Sequence, residues 1–345
     1  MTAIDSLDDP QALQQLLFQL SHVNANFKIT ALRQAVAFQD KAPLQPILEA
    51  LLDGREAVHS ATLETIEVLK PWITDEQWLE TLLKPSDLVY QAALSILETQ
   101  GKEAPLKPVF RASFALKRSL RTQAQRLLAR QAQQWSPKTV AWFIQTNTEI
   151  LQKATPFSRM IVLEMLGTLG DKAPIEVFLA ALQDDSADVR WTALLQLTAY
   201  GKQNQELPIE PIAALIHDPH THVRRSVLYA LETQEKASIN LFITTLHDTN
   251  EGVKQAAALI LCKRRSIQAI PALLQFLLNE TTRFRWDFQH SVMEAFEELH
   301  EHIPIEPLID GLKNDKKPVR LRAITLLTFL KARTPVKLLI KLFRA

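Results

Sequence analysis

The feature that most constrains this chain is a short apolar pattern that returns roughly every thirty residues. SADVRWTALLQLTAYG (186–201), HTHVRRSVLYALETQ (220–234), NEGVKQAAALILCKR (250–264) and KKPVRLRAITLLTFL (316–330) share one order: a turn, an apolar anchor, a basic residue, then small or apolar residues at helical spacing. Further copies place the anchors at Phe27, Val58, Val89, Leu120, Ser158, Val189, Val223, Val253, Phe288 and Val319, with spacings of 31, 31, 31, 38, 31, 34, 30, 35 and 31. A module this small cannot bury its own apolar face. It gains a core only by stacking on its neighbours, which makes a solenoid the expected solution.

A second helical stretch precedes each anchor, as in PLQPILEALLD (43–53), PIEVFLAALQD (174–184), PIEPIAALIHD (208–218) and PIEPLIDGLKN (304–314). Many begin at proline, which suits a first helical turn, so the 18 prolines punctuate helices rather than mark linkers. Only 7 glycines occur, few for a fold that needs tight sheet turns, and no sustained period-2 alternation competes. The expectation is an all-α chain: a right-handed α-solenoid of about ten antiparallel helix pairs, forming one continuous domain over residues 1–345. TPVKLLIKLFRA (334–345) serves as a cap or a half-repeat through which the chain could oligomerise.

In this organisation the chain resembles the HEAT-like repeat family, in the short form found in phycobilisome-lyase-type proteins. The resemblance includes an Asp in the inter-helix turn followed by a cation on the second helix: Asp184 with Arg190, Asp218 with Arg224, Asp248 with Lys254, and Asp315 with Arg320. Tetratricopeptide and ankyrin signatures are absent. The resemblance implies a non-catalytic scaffold or adaptor that presents a curved surface to another protein. Its enzymatic alternative is a lyase-like accessory protein acting on a chromophore-bearing or modified partner, and this leaves open whether the chain is an enzyme.

With the anchor as position zero, positions 0, +4, +7 and +11 share one side of the second helix. Position +4 is small or β-branched throughout (Ala31, Thr62, Ala93, Ala124, Val162, Ala193, Val227, Ala257, Val292, Ala323), which lets adjacent modules approach closely. Position +1 is mostly basic. Its cations are read as a structural ladder bridging the turn aspartates of their own and the next module, rather than as a phosphate track. Positions +2 and +6 point away from the core and supply candidate partner contacts at Trp191, Arg225 and Tyr229.

Net charge is +1, from 39 basic and 38 acidic residues, which argues against a nucleic-acid protein, whose affinity comes largely from phosphate neutralisation. One local basic patch, Arg111, Lys117, Arg118, Arg121, Arg126 and Arg130, keeps nucleic-acid binding as a second alternative. The long turn NETTRFRWDF (279–288) offers Arg283, Phe284, Arg285 and Trp286, residue types enriched at interface hot spots. His217, His220 and His222 surround Asp218, but the repeat places them without a metal, so no metal and no cofactor is assigned. No phosphate-cradling, nucleophile-elbow or zinc-protease motif occurs. The longest apolar run, 256–262, is too short to span a bilayer. The lone Cys262 and a start without a signal pattern fit a cytoplasmic protein.

Overall fold

The computed structural model describes residues 10–83, 87–101, 104–115, 117–203, 206–279 and 286–330. Among them are twenty α-helices and no strand, and the fold is an all-α solenoid of helix pairs. Packing divides the chain into two compact units, Met1–Ala173 and Pro174–Ala345.

In the first unit the second helices of the pairs are Ala25–Ala35, Glu56–Leu69, Asp87–Gln100, Arg118–Ala132 and Pro156–Gly167. Their partners are Pro10–Ser21, Leu44–Glu49, Asp75–Leu83, Leu106–Ala112 and Pro137–Leu151. Like packs on like. Ala25–Ala35 lies on Glu56–Leu69, and Arg118–Ala132 lies between Asp87–Gln100 and Pro156–Gly167, while the first helices form their own row from Pro10–Ser21 to Leu106–Ala112. The 38-residue interval is explained by Pro137–Leu151, which at 15 residues is twice the length of most first helices. Ser136 caps it by accepting from the Thr139 amide at 3.2 Å. Phe143 on this helix is fully buried between Trp135 and Phe110, whereas its neighbour Trp142 is 37% exposed.

In the second unit the first helices are Ile175–Ala181, Ile209–Ala213, Ile239–Thr245, Ile270–Asn279 and Glu306–Leu312. The second helices Ala187–Gly201, Thr221–Leu231, Glu251–Lys263, Trp286–Glu298 and Lys317–Phe329 pack in chain order, each on the next. Several first helices are under two full turns and would not hold alone. They persist because one face of each is covered by its partner, as with Ile212, Phe242 and Leu308, all fully buried.

Every described anchor except two is buried, and all ten +4 residues are buried. Phe27 is 49% exposed, its ring 4.9 Å from that of His22. Ser158 is not an apolar anchor; its amide and hydroxyl are bound to the Thr155 side chain at the helix start. Pro137 and Pro307 lie in the first turn of their helices, as expected, but at four other first helices the proline sits one step earlier. Pro43, Pro105, Pro174 and Pro208 are the residues just before the first helical turn, with extended ψ between 87° and 125°. Their fixed φ still sets the entry direction. At Gly311 the chain has no room for a side chain: an added Cβ would lie 3.0 Å from both Ala323 and Leu278.

Candidate functional site

The inter-helix turns set the geometry of the second helices. Each described Asp of these turns folds back on the amide two residues on: Asp53 on Arg55, Asp184 on Ser186, Asp218 on His220 and Asp248 on Asn250. The equivalent residue in the last turn is Asn314, which accepts from Lys316, so Asp315 is displaced by one position from the role its spacing suggested. Such turns satisfy amides that would be orphaned at a helix start.

The +1 arginines then tie module to module. Arg190 donates from Nε and Nη2 to both oxygens of Asp218, at 2.7 and 3.1 Å. Arg224 does the same to Asp248, at 2.7 and 2.8 Å. In the first unit Lys28 reaches Asp53 at 2.8 Å. In these pairs the side-chain rung runs to the aspartate of the next module. Toward its own turn each arginine uses Nη1 on backbone carbonyls, Asp184 and Asp185 for Arg190, Asp218 and Pro219 for Arg224, Asn314 and Asp315 for Arg320. Arg190 and Arg224 thus span the turn aspartates of their own and the next module, through a backbone carbonyl on the near side and a carboxylate on the far side: the guanidinium's fork is filled by one carboxylate, and its remaining nitrogen faces the carbonyls that end the preceding helix. Lys254 lacks the fork; it pairs with Glu251 on its own helix at 3.4 Å.

These contacts shift the aspartates. Burial works to raise the Asp218 carboxyl, but the Arg190 hydrogen bonds and the His220 amide outweigh it and hold the group below the usual range. Arg224 likewise draws Asp248 down against burial, and Arg55 with Lys28 draws Asp53 far down.

With Arg224 turned inward, its neighbour Arg225 is exposed and forms no ion pair with a described residue. Its guanidinium reaches toward the following helix, where Nη1 lies 3.9 Å from the place a Cβ on Gly252 would occupy. Tyr229, one turn further along, is 39% exposed, and Leu195 on the preceding second helix is 41% exposed. Leu259 continues the row, half-buried, on Glu251–Lys263. Trp191 is half-buried and leans across to His222, the ring centroids 5.8 Å apart and edge-on. Leu195 and Leu259 share the outward +6 position with Tyr229, although only Tyr229 of the three was singled out as a partner contact.

The histidines form part of the same turn. His220 and His222 stack edge-on at 5.8 Å; His220 Nδ1 lies 3.4 Å from Asp218, and His222 Nε2 lies 3.7 Å from Asp188. His217 is exposed at the end of its 3-10 turn. Among the described residues, no three His, Cys, Asp or Glu side chains come together to hold a metal ion.

The basic patch is less positive in space than along the chain. Lys117 pairs with Asp87 at 3.2 Å and Arg130 with Glu98 at 3.1 Å. Arg121 lies 3.8 Å from Glu164, donates to the Ala115 carbonyl and sits over the Phe157 ring. Arg111, Arg118 and Arg126 are exposed. Arg283, Phe284 and Arg285 lie outside the described residues, as does the segment 334–345. Trp286 begins the helix Trp286–Glu298, but its side chain is likewise outside them.

Comparison with known proteins agrees with this architecture. Kap121p bound to RanGTP superposes with a TM-score of 0.58 at 16% identity, covering 99% of this chain and 44% of that one. Kap121p bound to Pho4p gives 0.56 at 15%, covering 95% and 42%. Kap95p, solved with RanGDP, gives 0.54 at 11%, covering 97% and 55%. This chain thus spans about half the length of those proteins, and the likeness is one of fold. No curated protein sequence matches it. The family model for HEAT repeats matches residues 144–231 and 209–292. Over residues 144–292, the helix pairs built on this Asp–Arg turn are thus similar to HEAT repeats.

Proposed function

We propose that this chain is a non-catalytic scaffold that binds another protein along the outward face of its second helices. One observation carries the reading. The +2 and +6 positions of neighbouring second helices in the second unit expose Leu195, Tyr229 and Arg225 side by side, while the +1 cations beside them are consumed by structure. Exposed apolar side chains scattered singly are ordinary; a row that continues from helix to helix, with an arginine in it, is what interfaces use. The karyopherins that share the fold were solved with protein partners, which supports the same direction of reading.

The sequence period does not break where the two units meet, since Ser158 and Val189 are 31 residues apart. We therefore take residues 1–345 as one repeat domain. No described helix is long and apolar enough to cross a membrane, and the buried Cys262 fits a reducing compartment such as the cytoplasm. The lyase-like alternative rests on the sequence resemblance alone. Nucleic-acid binding through Arg111, Arg118 and Arg126 is weakened by the carboxylates that pair with the other three cations of that patch.

The test is cross-linking and affinity capture from the native cell with the full chain as bait, run in parallel with a Leu195→Ala/Tyr229→Ala variant. A partner whose cross-links map to second-helix outward positions and whose recovery drops in the variant supports the reading. Recovery that is equal with both baits, or cross-links confined to the first helices, overturns it.

A further inference from the structure

The outward row in the second unit has a definite spacing and charge, and both bear on what it holds. Leu195, Tyr229 and Leu259 occupy the same +6 position on three second helices, each packed on the next. Packed helices lie about 8–10 Å apart. A polyproline-II segment advances about 3.1 Å per residue with three residues per turn. Its side chains at i, i+3 and i+6 therefore share one face and repeat at about 9 Å, the same step as the helices. A β-strand does not match, because residues three apart point to opposite faces.

The charge is set by Arg225. Arg190 and Arg224 each hold a carboxylate and their own turn's carbonyls. Lys263 on the third helix is paired with Glu232 at 2.5 Å. Arg225 alone among these four points out with no carboxylate partner among the described residues; it is four residues before Tyr229 on the same helix, and its Nη1 lies 3.9 Å from where a Cβ on Gly252 would be. One accessible fork over three helices does not make a phosphate track, which needs a cation for each neutralised phosphate. It does fit a single carboxylate, bound bidentately.

We propose that this row binds an extended, polyproline-II-type segment of a partner protein that carries apolar side chains at every third position and an Asp or Glu placed to reach Arg225. Leu195, Tyr229 and Leu259 take the apolar side chains, and Trp191, propped against His222, closes one end of the row. The inference rests on the protein-binding reading above and adds the conformation and chemistry of the bound segment.

The experiment is selection of a phage-displayed library of random dodecapeptides on the full chain, followed by fluorescence anisotropy with the most enriched peptides. Wild type is compared with Arg225→Glu and Tyr229→Ala, both at exposed positions, with helical circular dichroism and melting to show that each variant folds. The expected result is enrichment of acidic peptides with apolar residues three apart. Their affinity falls at least tenfold with Arg225→Glu, and a peptide whose acid is changed to lysine regains binding to that variant. Absence of enrichment, enrichment without acidic residues, affinity unchanged by both substitutions, or tighter binding of a 20-nucleotide oligo-dT than of any selected peptide each overturns it. A partner cross-linked elsewhere on the second helices would sink this inference and leave the scaffold reading intact.

Discussion

Replacing Asp218 with alanine should destabilise the second unit by about 3 kcal/mol, the cost of leaving a nearly buried guanidinium without its carboxylate. The structure supplies the terms. Asp218 is 3% exposed at its side chain and Arg190 11%, so water replaces little of what is lost. Two charge-assisted hydrogen bonds, at 2.7 and 3.1 Å, disappear; bonds to charged groups contribute about 1.5–3 kcal/mol each at most and share one guanidinium here. The His220 amide, bound at 2.8 Å, loses its acceptor at the start of the helix Thr221–Leu231, a cap-type loss of about 1 kcal/mol. Arg190 keeps its carbonyl acceptors, Asp184 and Asp185, which limits the total. For a unit of 172 residues, counted from 174 to 345 inclusive, this corresponds to a melting shift of roughly 6–12 °C. Urea denaturation followed by circular dichroism measures it. Asp218→Asn keeps the acceptor for His220 and should lose about half as much. The sign with pH follows from the depressed carboxyl: the stabilisation is fully present above the ordinary carboxylate pKa and disappears as pH falls through the lower folded value. The gap between wild type and Asp218→Asn should therefore close in acid. A loss below about 0.5 kcal/mol for Asp218→Ala, or a gap that widens as pH falls, would refute the assignment of this rung as a structural tie.

Three further outcomes are expected. Ala193→Leu, at a fully buried +4 position, should cost about 1–3 kcal/mol by overpacking the faces of adjacent modules, and a urea midpoint unchanged from wild type would contradict the close approach. Gln39 holds a φ of 49° and a ψ of −119° with its side chain exposed, so Gln39→Gly should stabilise the first unit by about 1 kcal/mol; a lower melting temperature would show that the side chain matters more than the backbone. Burial pushes the Cys262 thiol up to about 12, so Ellman's reagent at pH 8 should label the native chain only as fast as it opens, and complete labelling within minutes under native conditions would place the thiol elsewhere.

The repeat was legible because stacking forces it on the sequence. Ten second helices form around the ten expected positions, and the small +4 residues are buried at every one. Where legibility failed, the missing information was spatial. Phe27 carries the pattern but remains half open. Ser158 keeps the register while acting as a cap ligand rather than as core. The basic stretch from Arg111 to Arg130 counts almost no acids along the chain, yet Asp87, Glu98 and Glu164 come to it from helices about thirty to forty residues away.

Periodicity by itself determined the helix pairs, their number and which face of each is buried, because those follow from one local pattern repeated in one register. Only the tertiary structure decided what each cation does. Arg224 and Arg225 are adjacent and chemically identical in the sequence, yet one is locked to Asp248 of the next module and the other stands open beside Tyr229. One residue of helix turns the side chain by about 100°, and the partner it then meets comes from the neighbouring module, which no local pattern specifies.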